Sequence, residues 1–169
     1  KDLRHQPDFS LIQLHLRILE KLGDQQGILE TSRLGLNLAA TKDQAYLHLQ
    51  RANALYQTEN LAKAYVHYEQ ALFSPPVGQL SFIRFRLIKI HYLLNEFEAF
   101  EARGNAFLKE DDQSEYANEL LLMLGNYSFQ KNRPEQAKHY LEKLVANQRL
   151  AVRNPELDPL QRLELVTRI

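Results

Sequence analysis

Apolar residues recur along this chain at intervals of three and four, the spacing of one face of an α-helix. No segment alternates apolar and polar residues long enough to read as a strand. The pattern predicts nine helices. The first covers residues 8–22, with Leu11, Leu14, Ile18 and Leu22 on one stripe, and Gly23-Asp24 breaks it. The second covers 25–40. Thr41-Lys42-Asp43-Gln44 has the form of a capping box and opens the third. Asn60 is placed to cap the fourth, whose stripe includes Ala64, Tyr68 and Ala71. Ser74-Pro75-Pro76-Val77-Gly78 is the strongest breaker, and the fifth helix follows it to about Leu94. Asn95-Glu96-Phe97-Glu98 offers a cap for the sixth, which ends near Lys109. Asp112-Gln113-Ser114-Glu115 opens the seventh in the same way. Pro134 sits where a first helical turn tolerates proline and starts the eighth. Asn154-Pro155 breaks the chain again. The ninth, over 156–169, carries Leu157, Leu160, Leu163, Val166 and Ile169, a narrow stripe suited to covering the open end of a stack.

Two stretches of this pattern read alike. Ala52 and Ala64 stand in one helix pair as Gly125 and Ala137 stand in another. Between them Ile88 and Phe100 complete the series, at strides of 36 and 37 residues. Counting back 36 from Ala52 reaches Leu16, inside the first helix. Four helix pairs are therefore expected, over about 8–40, 41–76, 77–110 and 112–150, then a capping helix. A single amphipathic pair cannot bury its own face, so neighbours must stack.

This recurrence resembles the tetratricopeptide repeat family over most of the chain. Leu124-Gly125 with Ala137, and Ala52 with Ala64, Tyr68, Ala71 and Pro76, carry the likeness. The small residues permit close helix approach, and the proline ends a second helix. The sequence departs from the family where Ile88 and Phe100 replace small residues, and where His48 and Leu121 replace the tryptophan. Its strides also exceed the usual 34. The resemblance implies a diverged bacterial version: an all-α, right-handed superhelical solenoid of about four pairs, one domain over 1–169. It also implies a non-catalytic interaction scaffold within a larger bacterial protein, binding a protein or peptide in its concave groove. The alternative is a module of a signalling protein that senses a peptide or small molecule.

Carried over position by position, the family's inward residues are Tyr46, Leu49, Gln50, Asn53, Tyr56 and Gln57 in the second pair. In the third they are Phe82, Phe85, Arg86, Lys89, Tyr92 and Leu93; in the fourth Glu119, Leu122, Met123, Asn126, Phe129 and Gln130. Rings supply contact area, amides bond a peptide backbone, and Arg86 with Lys89 meet a carboxylate. The competing reading is that the aromatics pack between repeats and the two cations lie on a solvated face. Leu49 stands where a carboxylate-clamp lysine is expected, so a chaperone tail is not implied.

Composition narrows the field. Lys plus Arg equals Asp plus Glu, 21 against 21, which leaves no basic face for a dedicated nucleic-acid binder. There is no cysteine, so disulfide and thiolate chemistry are excluded, and the expectation leans slightly to the cell envelope or periplasm over the cytoplasm. No apolar run approaches the roughly 20 residues of a membrane helix. The chain starts at Lys1 without a signal-peptide pattern, as expected of a piece of a longer or processed protein.

Catalytic motifs are weak. Asp111-Asp112-Gln113-Ser114-Glu115 spells an aspartate-rich magnesium motif of all-helical isoprenoid enzymes, but no second metal motif accompanies it. Acids at the positive end of a helix account for it. His5, His15, His48, His67, His91 and His139 show no metal spacing with a third ligand. Glu98 and Glu101 share a helix face, as solvent-facing acids do. No enzyme activity, cofactor or metal is expected. Exposed ends of a helical stack leave pairing of two copies open.

Overall fold

In a computed structural model, residues 9–153 are described. Eight helices follow one another: α1 (Phe9–Leu22), α2 (Gln25–Leu38), α3 (Thr41–Gln57), α4 (Leu61–Leu72), α5 (Leu80–Leu93), α6 (Phe97–Glu110), α7 (Ala117–Gln130) and α8 (Pro134–Arg153). No strand occurs among the described residues. The ninth helix expected over 156–169 lies outside them. The described chain falls into two compact units, divided between Arg103 and Gly104.

One turn recurs four times. Its left-handed residue is Gly23, then Glu59, Asn95 and Asn132, at intervals of 36, 36 and 37. At each, the next amide donates back to a carbonyl five residues earlier: Asp24 to Leu19, Asn60 to Leu55, Glu96 to His91, Arg133 to Ser128, at 2.8–2.9 Å. The left-handed residue's own amide donates to Glu20, Tyr56, Tyr92 and Phe129 respectively. This satisfies the last carbonyls of one helix while reversing the chain into the next. The expected strides thus reappear in the backbone, and the first pair turns like the other three.

Within the first unit, consecutive helices from α1 to α5 pack on one another. One core gathers Leu16, Leu19, Ile28, Leu47 and Ala54. A second gathers Leu49, Ala52, Leu55, Ala64, Tyr68, Ala71, Ile83, Leu87 and Ile90. Helix α3 contributes to both, so it is held on two sides. Gly35 lets α2 approach it: a Cβ there would sit 3.1 Å from both Leu47 methyls. At the α5–α6 turn the Tyr92 ring meets those of Phe97 and Phe100. Within the second unit α7 packs on α8. A Cβ at Gly125 would meet Leu141 at 3.3 Å, as close crossing requires. Tyr140 Oη donates to Asn105 Oδ1 at 2.9 Å.

Several local expectations are corrected. The stripe Leu11, Leu14, Ile18 and Leu22, to which the pattern assigns no burial, is exposed, while Leu16, reached by the stride, is buried together with Leu19. Helix α1 is apolar on two sides, and the pattern alone cannot say which side meets α2 and α3. Thr41 is the first residue of α3, with Ala40 in the cap position and no side-chain cap bond. Asn60 does occupy the cap of α4, yet its side chain makes no cap bond. Asn95 is the left-handed turn residue before α6, not its cap. Residues 111–116 form turns, and Tyr116 caps α7 in place of Asp112. There Ser114 Oγ accepts from the Tyr116 amide at 3.4 Å, a local bond that competes with helix initiation. At α2 a side chain does cap: the Asp24 carboxylate accepts from Gly27 N at 2.8 Å.

Candidate functional site

The first unit contains a cavity of about 330 Å³ lined by α3 and α5, with contributions from α1, α2 and α4. Helix α3 puts Leu47, Leu49, Ala52, Ala54 and Leu55 into the two cores and presents Gln50, Asn53, Tyr56 and Gln57 to the cavity. These positions recur at three and four, so one face of α3 delivers them all. From α5 come Phe82 and Arg86, again one helical turn apart. Glu20, Gln25 and Tyr68 complete the polar lining, with Ile28 and Ala54 below.

Arg86 is the centre of this arrangement. Its guanidinium carbon lies 4.4 Å from the Tyr56 ring centroid and 5.0 Å from that of Phe82. Two ring faces attract the cation and fix its plane. Its Nε is buried with no hydrogen-bond partner, an unmet donor in a lining rich in amides. Tyr68 is fully buried and its hydroxyl donates to Asn53 Oδ1 at 2.7 Å. That bond orients the Asn53 amide so that its NH₂ remains for another acceptor. Burial pushes the Tyr68 phenol well above its ordinary pKa, so it stays a neutral donor.

The residues expected to face a groove separate into groups. Gln50, Asn53, Tyr56, Gln57 and Arg86 come together in the cavity. Tyr46 instead packs edge-on against Phe9 at 6.1 Å, beside the α1–α3 core. Phe85 and Leu49 are buried in helix contacts. The Lys89 ammonium lies 5.6 Å from the Phe85 ring centroid, outside the cavity lining. Tyr92 is taken up by Phe97 and Phe100. Asn126 and Phe129 belong to the second unit, where both are exposed, Phe129 at 74%. The sequence reading did not place Glu20, Gln25, Ile28, Ala54 or Tyr68 at a groove; a stride of 36 back from Tyr56 reaches Glu20, whereas Gln25 and Ile28 answer to Leu61 and Ala64 of α4.

A second polar cluster lies between α2, α3 and α4. Arg51 Nε donates to His67 Nε2 at 3.1 Å, and Arg51 Nη1 to the Leu29 carbonyl at 2.6 Å. His67 Nε2 is then an acceptor, so its proton sits on Nδ1 and is donated to His48 Nδ1 at 2.9 Å. The two rings stack with centroids 5.1 Å apart. Burial, then the neighbouring His48 and Arg51, hold His67 down to about 4. Burial and Arg51 lower His48 as well.

Among the described residues no group of three or more His, Cys, Asp or Glu is placed to hold a metal. No helix among them is long and apolar enough to cross a membrane. No protein-family model matches this chain, and no curated protein sequence matches it.

Proposed function

We propose that this chain is a non-catalytic interaction module, a diverged tetratricopeptide-type array within a larger bacterial protein. It holds a peptide segment of a protein partner in the cavity of its first unit. The observation that carries this reading is Arg86, sandwiched by Tyr56 and Phe82 with a buried, unpartnered Nε, among the amides of Gln50, Asn53 and Gln57. A carboxylate on the ligand would complete the guanidinium's bonding, and the amides would bond an extended backbone. The four-fold recurrence of one hairpin turn supports the repeat reading. The cavity volume also favours a second reading, a sensor for a small peptide or molecule, because about 330 Å³ lies at the lower end of small-ligand clefts.

Fluorescence anisotropy with labelled acidic peptide pools tests the proposal. Arg86→Gln should weaken binding about tenfold, roughly 1.4 kcal/mol. Lys63→Gln, an exposed cation on α4, should leave it unchanged. Equal binding by the Arg86 variant, or no binding by any pool, would remove the basis for this assignment.

A further inference from the structure

Helix α1 has a second apolar face that no described residue of the first unit covers. Leu11, Leu14, Ile18 and Leu22 lie on it, and Leu34 and Leu38 of α2 are exposed too, all six between 47% and 73%. Leu34 and Leu38 are one helical turn apart, in line with Thr31. Thr31 Oγ1 and His15 Nδ1 are 3.3 Å apart, which ties the two helices across this same face. The six aliphatic side chains therefore form one patch around a polar pair that is already hydrogen-bonded.

Exposed single leucines are ordinary, but a contiguous patch is not. Taken by fractional exposure, this one presents on the order of 600 Å², the upper end for the largest patch of a monomer. Two such faces closed on each other would remove about 1,200 Å², where stable interfaces begin.

We propose that this face is the interface of a two-fold dimer of this chain, α1 of each copy lying over α2 of the other. The charges at the border favour a second copy and this orientation. Lys21 edges the patch on α1 and Glu30 edges it on α2, both within two turns of Gly23. A two-fold axis parallel to the helices sets Lys21 of each copy against Glu30 of the other, twice. An axis perpendicular to them would set α1 against α1 and leave both pairs unmade. The inference does not involve the cavity or its ligand.

Sedimentation equilibrium of the whole chain, over about 1 to 100 μM, provides the test. A dimer is expected across that range. Leu14→Glu with Leu34→Glu, both at exposed positions, should keep the helical circular dichroism and raise the dissociation constant at least about 100-fold. Lys21→Glu should weaken the dimer, and adding Glu30→Lys should restore it. A wild-type monomer at the highest concentration would overturn the proposal. So would a dimer indifferent to the leucine or charge substitutions. So would a dimer lost on removing residues 154–169, which would assign the contact to that segment.

Discussion

The histidine pair shows how a single proton can be placed by its neighbours. His67 faces His48 from α3 on one nitrogen and Arg51 from α3 on the other. Arg33 of α2 adds a further positive charge near Arg51. No carboxylate appears among the groups that set the pKa of either histidine. Protonating His67 removes the acceptor that Arg51 uses and adds charge beside a cation. The folded state therefore binds this proton less readily than the unfolded chain does. Between the ordinary histidine value near 6.5 and about 4, the unfolded state holds more protons, so stability falls as pH falls through that window. Above it the contribution is complete. With partial exposure allowed for, we expect a loss of about 1 kcal/mol between pH 7 and 4.5, beyond that of a His67→Gln variant. Urea unfolding of both proteins at the two pH values measures it. Parallel losses in the two proteins would contradict the argument.

At the scale of elements, each hairpin depends on one residue with positive φ, and only one of the four is glycine. Glu59 has φ 58°. A glutamate there carries a steric cost that glycine lacks, without Asn's local hydrogen bonding. Glu59→Gly should raise stability by about 0.5–1 kcal/mol in thermal unfolding. A lower midpoint would mean that Glu59 contributes something the turn geometry does not show. The same feature explains what could be read beforehand. Helices and strides were legible because buried positions recur at three and four and small residues mark crossings. The turns were half legible, since glutamate and asparagine in left-handed positions look like ordinary helix ends or caps. The cavity was legible on α3, where a polar stripe runs beside an apolar one. On α5 it was not. Ile83, Phe85, Leu87, Ile88, Ile90 and His91 are all buried, so apolar residues surround the helix and no face declares itself. Stride alone grouped Arg86, which lines the cavity, with Phe85, which is buried in helix contacts. On α1 the apolar stripe was legible but its exposure was not: two apolar faces compete, and only the contacts made by Leu16 and Leu19 decide between them.

For the whole molecule, the question is how far a local disturbance travels. Contacts run between consecutive helices, and such arrays gain stability from each hairpin and its immediate neighbours. The two units make this testable. Gly125 is buried in α7 where a Cβ would already press on Leu141 at 3.3 Å and approach Tyr140 Cβ at 3.7 Å. Gly125→Leu adds a branched side chain at this close crossing, where Leu141 must be displaced from α7, and should cost about 2–4 kcal/mol. If coupling is local, hydrogen exchange will show amides of α7 and α8 losing protection while those of α3 and α4 keep theirs. Loss of protection at the same rate along the entire chain would instead define one cooperative unit. The cavity bears on the outcome as well. Its lining comes from α1 to α5 alone, so a local disturbance at Gly125 should leave peptide binding by Arg86 intact, and a global one should abolish both together.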